Sequence, residues 1–325
     1  MTNPRDLTLL KKPENLIGLL PEIDEILRDF AYLAAYHAHF HPANTGDVSQ
    51  VLSHAAGEKL LSHFSDAVSE WIEIKRLDVL QDLRADGRAG YRSEGISDER
   101  FYAGIAPMAG RVFLITRTGS QIPSIQYTIS CGEDGKLFNA VQVDDNARRI
   151  RLIYGHHQYG SIPSIETHIH IYANAQCMLE GLENPATVHA HPFHLISLGR
   201  HVRIQGSFER LNAAIYTQIE GLNRNYSQLI GVVPYYQSGT AELVINTLDA
   251  LANHRLVLWM NHGFTVREAN IRRAYTLLAY AEDCARATLF SFKEGGIGLP
   301  EWDIREFLES NHLNDAYKEV FGFHD

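Results

Sequence analysis

The sequence predicts an α/β protein in which helices flank a mixed, mostly antiparallel sheet, with a helical extension at the N-terminus. Apolar residues recur at helical spacing in the first 85 residues, several β-rich runs follow, and helices then alternate with short strands. We therefore predict two parts: a helical N-terminal extension, residues 1–85, and an α/β sandwich domain, residues 86–325.

The N-terminal extension is predicted from two stretches with helical periodicity. Residues 16–36 place Ile23, Leu27 and Phe30 at helical spacing, and residues 57–83 show a second helical pattern. The segment HPANTGDVS lies between them and is rich in turn-forming residues. We predict that this segment is a loop.

The sheet is predicted from β-rich runs, which begin after an irregular stretch rich in Gly, Ser and charge. Four runs precede residue 155: Arg111–Thr116, Ile125–Ile129, Asn139–Val143 and Arg149–Tyr154. A hairpin-like turn, Cys131–Lys136, separates two of them. After residue 161 the short strands ATVHA, LIGVVPY and RLVLWM alternate with helices, and a long amphipathic helix runs from Asn270 to Phe292.

Composition and charge exclude several classes of function. The formal net charge is -10 and the pI is about 5.9, so the surface offers no electrostatic basis for binding nucleic acid or an anionic membrane. No stretch is long and apolar enough to predict a membrane span, and the N-terminus lacks the pattern of a secretory signal. The three cysteines, Cys131, Cys177 and Cys284, are far apart and form no zinc or disulfide pattern. A soluble, cytoplasmic protein is therefore expected.

Histidine placement is the most informative feature of the chain. His189 and His191 lie two apart in a predicted strand, so their side chains point to the same face and could bind one metal ion. Catalytic zinc sites usually have three protein ligands. His262 is a candidate for the third, because it ends the buried-looking strand RLVLWM and precedes a glycine that permits a tight turn.

Other histidine pairs compete with this set. His37, His39 and His41 form a similar string at the end of a helical pattern, where residues two apart point in different directions and only His37 and His41 could share a metal. We prefer the structural interpretation, in which these histidines interact favourably with the helix dipole at the C-terminus of the helix. His168 and His170 are also two residues apart in a predicted helix, so they cannot share a metal ion. We predict that they are core or surface residues. The loop pair at 156–157 is predicted to be structural or solvated.

Glu166 allows two interpretations. It lies in the segment Pro-Ser-Ile-Glu-Thr near the start of a predicted helix, where a carboxylate is stabilised by the helix dipole. Beside a metal ion, the same carboxylate could instead bind the ion or transfer a proton. The residues alone leave both roles open.

Four segments together resemble the class II aldolase/adducin family, and most closely its rhamnulose-1-phosphate and fuculose-1-phosphate aldolases. In the family's order they are PSIETH, VHAHPFHLISL, VVPYYQSGTAEL and HRLVLWMNHGFTV. The resemblance spans roughly Arg111 to Phe292, and the ordered set is far more specific than any single segment. It implies a class II aldolase-like α/β sandwich.

The resemblance also implies roles for particular residues. His189, His191 and His262 would bind zinc or another divalent metal, and Glu166 would be the acid/base group. The candidates for substrate phosphate binding are Thr118, Gly119, Ser120 and Ser164. A tyrosine from a neighbouring subunit often supplies the second acid in this family, and Tyr216 is the candidate here. In the resembled family the site lies at a subunit interface within a four-fold tetramer, so the resemblance also implies a homotetramer.

Three departures separate this chain from the family pattern. A Gly-Asn-x-Ser loop is expected before Arg111, and the nearest match is Glu94-Gly95-Ile96-Ser97, which lacks the Asn. Ile165 replaces a serine and removes a hydroxyl group from the expected phosphate pocket. The short aldolases also lack a counterpart of the N-terminal extension. The metal-binding residues are thus intact, whereas the phosphate pocket is incomplete.

The function implied is a metal-dependent aldolase that cleaves or forms a C–C bond in a ketose or ketose phosphate through an enediolate. A 4-epimerase, dehydratase or decarboxylase of a sugar phosphate is the alternative within the family, although its epimerases carry Asp where Glu166 stands. From a different class, the chain could be a non-catalytic, adducin-like interaction module. The complete histidine set argues against that module, and no nucleic-acid or membrane partner is expected.

Overall fold

The structure is a computed structural model of the chain. It describes residues 16, 18–40, 46–65, 71–74, 99–117, 137–155, 166–216, 229–238, 240–296 and 300–310. The predicted strand Ile125–Ile129, the turn Cys131–Lys136 and the pair at 156–157 lie outside these residues.

A single sheet organises the described part of the chain. Its strands are β1 (Asp47–Val51), β2 (Ile72–Glu73), β3 (Val112–Thr116), β4 (Phe138–Val143), β5 (Arg149–Tyr154), β6 (Ala186–Ala190), β7 (Ile230–Val233), β8 (Leu256–Trp259) and β9 (Gly263–Glu268). They lie in the order β2-β5-β4-β3-β1-β6-β9-β8-β7. Strands β7 and β8 pair in parallel, and every other neighbouring pair is antiparallel. The predicted mixed, mostly antiparallel sheet is confirmed.

Helices cover both faces of this sheet. They are α1 (Pro21–Phe40), α2 (His54–His63), α3 (Glu99–Ile105), α4 (Thr167–Leu179), α5 (Phe193–Arg200), α6 (Phe208–Tyr216), α7 (Ala241–Asn253), α8 (Ile271–Glu294) and α9 (Glu301–Ser310). Alternate residues of β3 enter two separate hydrophobic clusters, as the period of a strand requires. Helices α1, α5, α6 and α8 contribute to one cluster, and α3, α4 and α7 to the other. The result is the predicted α/β sandwich.

Helix α8 shows how local sequence fixes an element. The Asn270 side chain accepts a hydrogen bond from the Arg273 backbone N–H and so caps the N-terminus. The helix ends before Gly295, which adopts φ 72° in the left-handed region that glycine tolerates best. Among the described helices, none combines the length and the apolar composition needed to cross a bilayer.

The N-terminal part differs from its prediction. Residues 47–49, the end of the predicted loop HPANTGDVS, belong to β1 at the centre of the sheet, which pairs with both β3 and β6. The predicted helix over residues 57–83 is also wrong in part, because α2 ends at His63 and β2 follows at Ile72–Glu73. The first 85 residues are therefore not a purely helical extension, because they supply a central strand of the sheet. The domain boundary at residue 85 stays a prediction.

Candidate metal centre and active site

Two structural elements bring the three predicted metal ligands together. His189 lies in β6, and His191 follows directly after the end of that strand. His262 lies in the tight turn between β8 and β9, two strands that pair through Trp259 and Gly263. Because β9 pairs with β6, the turn lies beside the two histidines. The alternation of β6 and the tight β8–β9 connection thus place all three imidazoles at one end of the sheet.

The turn that carries His262 requires glycine at position 263. A Cβ atom on Gly263 would collide with His189 Cε1 and would lie 2.8 Å from His191 Cδ2 and 2.9 Å from the Ala190 carbonyl oxygen. These approaches are too close for any other residue without a shift of the two rings. The His-Gly dipeptide therefore makes room for the convergence of the three rings.

The three imidazoles have the spacing of a metal site. One ligand nitrogen from each lies within 4.8 Å of the others, and His189 Nε2 is 3.1 Å from His191 Nε2. Nitrogen ligands about 2.0–2.1 Å from a tetrahedral zinc ion would be about 3.3 Å apart, close to the observed separation. Within the described part of the chain, the buried His262 Nδ1 atom has no hydrogen-bond partner. The donor set fits a divalent ion such as Zn²⁺.

Burial keeps two of these rings in the neutral form that binds metals. Desolvation, reinforced by the neighbouring His191, lowers the pKa of His262 to about 4. The same two causes, in the same order, hold the pKa of His189 well below its usual range. Lone pairs are therefore available at neutral pH without prior loss of a proton.

Two residues that sequence reasoning did not single out support His189. The indole ring of Trp259 stacks against the imidazole, with ring centroids 4.4 Å apart. Thr265 Oγ1 lies 3.3 Å from His189 Nδ1. Such contacts to the nitrogen that faces away from a metal fix ring orientation and tautomer. Position 265 lies directly opposite His189 in the β6–β9 register, so only the strand pairing could have identified it.

Glu166 lies against the histidine cluster. Its Oε2 atom is 3.5 Å from His189 Nε2, and its Oε1 atom is 3.8 Å from His262 Nε2. The residue occupies the N-cap position of α4, but its side chain makes no capping hydrogen bond. Burial, followed by the charge of Asp47 and a hydrogen bond with that residue, raises the pKa of Glu166 well above its usual range. This position favours the proton-transfer role over the capping role.

Asp47 is the site residue that the sequence analysis missed. It opens β1, faces His189 across the β1–β6 pair, and is 7% exposed. Its Oδ1 atom is 2.5 Å from His170 Nε2. Residues 46–49 read Gly-Asp-Val-Ser and lead into β1, the strand beside β3, so they match the Gly-Asn-x-Ser spacing better than residues 94–97 do. This chain therefore departs from the family pattern by an Asp in place of the Asn. The Gly-to-Ser spacing of residues 46–49 is the sequence signal that could have identified Asp47.

The remaining histidines take separate places. His168 and His170 are buried in α4, as core residues, and His168 Nε2 is 2.8 Å from the Ile74 carbonyl oxygen. His37 and His39 fall within α1, and His41 lies outside the described residues. Among the described residues, the histidines at 189, 191 and 262 form the candidate metal cluster.

The prediction for Tyr216 is not supported by its position. The side chain ends α6 and is 1% exposed, within the hydrophobic cluster that α6 shares with α8. This position gives no support to its predicted role as the second acid, which stays a prediction. The predicted phosphate-binding residues Thr118, Gly119, Ser120 and Ser164 lie outside the described residues and stay predictions.

Comparison with known proteins agrees with this geometry. The family model for the class II aldolase and adducin N-terminal domain matches residues 107–289, more than half of the chain. Rhamnulose-1-phosphate aldolase of Listeria monocytogenes is 22% identical over 191 residues, which cover 58% of this chain and 67% of that protein. The corresponding aldolase of Yersinia pestis is 25% identical over 191 residues, covering 58% and 66%.

Among solved structures, a sugar-phosphate aldolase from Thermotoga maritima superposes with a TM-score of 0.59 and 21% identity. The alignment covers 85% of this chain and 98% of that one. At this identity the likeness establishes the class II aldolase fold.

Proposed function

We propose that this chain, which belongs to the class II aldolase and adducin family, is a divalent-metal-dependent aldolase. It would cleave or form a C–C bond in a ketose or ketose phosphate. The observation that carries this proposal is the position of Glu166, whose two carboxylate oxygens lie 3.5 and 3.8 Å from two of the three converging histidines. A proton-transfer group and a metal site would then act on the same substrate atoms.

The residues at 189, 191 and 262 would hold the ion, and Zn²⁺ suits three neutral imidazoles. When bound, the ion would act as a Lewis acid on adjacent carbonyl and hydroxyl oxygens of the substrate and would stabilise an enediolate. Trp259 and Thr265 would keep His189 in its binding orientation.

Glu166 would move the proton at the carbon that becomes the nucleophile. Its raised pKa brings the carboxyl group closer to neutrality, where a side chain can both accept and return a proton. The nearly complete burial of the side chain, 5% exposed, would limit proton exchange with bulk water. A 4-epimerase or a dehydratase could use the same groups, so the products distinguish these reactions.

The experiment that tests the proposal is a cleavage screen with zinc-loaded protein. A panel of ketoses and ketose 1-phosphates is incubated with the protein, and the released aldehyde is measured by a coupled reduction. We expect cleavage that disappears when the metal is removed by a chelator and returns when zinc is added. Epimer or dehydration products without aldehyde would replace the aldolase proposal by its alternative, and chelator-insensitive cleavage would contradict it.

We also propose that the protein is a homotetramer. Large apolar side chains are exposed on helices of the described chain, including Phe193 at 58%, Phe290 at 65% and Trp302 at 66%. Burial of such residues between subunits would stabilise an assembly. Light scattering is expected to give four chain masses at micromolar concentration. A monomer under these conditions would contradict the prediction, and replacing Phe290 and Trp302 by serine should reduce the mass if these residues lie at the interface.

A further inference from the structure

A row of buried polar residues crosses the interface between the sheet and α4. Ser49 and Thr187 lie opposite one another on β1 and β6, and each has no exposed surface. His170 and Asn174 lie one turn apart on α4, with no exposed surface either. Buried polar groups are expensive unless they are hydrogen-bonded, so a continuous row needs an explanation.

These residues form one chain of hydrogen bonds that leads to Asp47. Thr187 Oγ1 donates to Asn174 Oδ1 over 2.8 Å, and Asn174 Nδ2 donates to Ser49 Oγ over 3.0 Å. Ser49 Oγ lies 2.7 Å from His170 Nδ1. His170 Nε2 lies 2.5 Å from Asp47 Oδ1, and Glu166 lies one turn before His170, at the N-cap position of the same helix. Burial, followed by the charge of Asp47 and a hydrogen bond with it, raises the pKa of Glu166.

The chemistry of the groups gives this chain a direction. Because Ser49 Oγ accepts a hydrogen bond from Asn174, its own proton can point to His170 Nδ1. An imidazole that accepts at Nδ1 carries its proton on Nε2, and therefore donates to Asp47 Oδ1. Asp47 Oδ1 is then an acceptor.

We propose that Asp47, held in place by His170 and Ser49, is a positioning residue that orients the Glu166 carboxyl group toward the metal centre. This inference rests on the proposed function for its catalytic consequence. Its structural content, a link from the interior of α4 through Asp47 to Glu166, does not depend on which reaction the site performs. An asparagine at position 47 would place an amide group beside Glu166 where this chain has a carboxyl group.

Kinetics of two variants test the catalytic part. Asp47→Asn is nearly isosteric, and Asp47→Ala removes the contact to Glu166. We expect each to lower kcat by about 10- to 100-fold, the usual effect of losing a group that orients an active-site residue, with little change in KM. The matched control is Thr247→Val, which removes a buried hydrogen bond to the Leu243 carbonyl oxygen elsewhere in the protein and should leave kcat unchanged. Normal kcat in Asp47→Asn would overturn the proposal.

Nuclear magnetic resonance tests the structural part without any substrate. In metal-free, ¹⁵N-histidine-labelled protein, the Nε2–H proton of His170 should resonate far downfield, and the signal is assigned by its loss in His170→Gln. Glu166→Gln should shift this signal, because both side chains bind Asp47, whereas Thr247→Val should not. An unshifted signal would overturn the proposal. A shifted signal in a protein that cleaves no ketose would uphold the link while rejecting the aldolase function.

Discussion

Replacing any one of His189, His191 and His262 by alanine is expected to abolish stoichiometric metal binding. The native protein should hold about one divalent ion per chain, because three imidazole nitrogens converge within 4.8 Å. Two remaining imidazoles are fewer than the three ligands that catalytic zinc sites use. Elemental analysis after gel filtration measures the bound metal, and catalytic turnover should be lost in parallel.

The competing histidine string supplies the matched controls. His37→Ala and His39→Ala remove the same kind of side chain from two positions of α1 and should retain the ion. Loss of metal in either variant, or full metal content in His191→Ala, would contradict the assignment. A fully active protein that contains no metal and is insensitive to chelators would reject the metal site altogether.

Metal binding should also appear as thermal stability. A ligand that binds only the folded state at about 100 times its Kd stabilises that state by about 2.7 kcal/mol. A chelator is therefore expected to lower the unfolding midpoint of the native protein and of the His37→Ala control. It should have no effect on His262→Ala, whose metal site is already lost. An equal chelator effect on all three proteins would show that the stabilising ion binds elsewhere.

The predicted histidine set rested on strand periodicity, a local property. His189 and His191 could be paired from the sequence because side chains two apart in a strand share a face. His262 could be added because a glycine after a buried strand indicates a tight turn. The structure brings the three residues together for a non-local reason as well: β9 pairs with β6 and lies between β6 and β8. That arrangement could be expected from the resemblance, but not from local sequence.

The missed strand β1 shows where local reasoning fails. Gly-Asp-Val-Ser has the composition of a turn, but residues 47–51 form a strand because β3 and β6 supply hydrogen-bonding partners on both edges. Asp47 was missed together with the strand. The burial of Tyr216 could not be predicted for the same reason, because it is determined by packing in the cluster shared by α6 and α8. Neither the pairing of distant strands nor the burial of one aromatic ring is encoded in a local pattern.

Replacing Glu166 by glutamine is expected to leave the fold and the metal in place and to lower turnover by about 100-fold or more, the typical contribution of general acid–base catalysis. The amide is nearly isosteric with the carboxyl group but cannot take and return a proton. If Glu166 only capped α4, Glu166→Gln would lower the stability of the fold. The structure gives no reason to expect such a loss, because the Glu166 side chain makes no capping hydrogen bond to α4. Turnover, metal content and the unfolding midpoint of the same preparation distinguish the two roles.

A second buried glutamate provides the matched control for this experiment. Glu268 is 4% exposed and pairs with Arg255 over 2.8 Å at the opposite end of β9 from the metal centre. Glu268→Gln should weaken that ion pair and lower the unfolding midpoint while turnover stays near normal. The expected pattern is therefore reciprocal: one variant loses rate and keeps stability, and the other loses stability and keeps rate.

An exchange measurement gives an earlier readout of the same proton transfer, before the natural substrate is known. Metal-loaded protein in deuterated water should exchange a substrate-carbon proton of a small ketone such as dihydroxyacetone phosphate, because removing that proton forms the enediolate. Glu166→Gln should exchange it about 100-fold more slowly or not at all, while Glu268→Gln should match the native rate. Near-normal exchange and turnover in Glu166→Gln would remove this carboxyl group from the mechanism, and another group beside the three histidines would then have to move the proton.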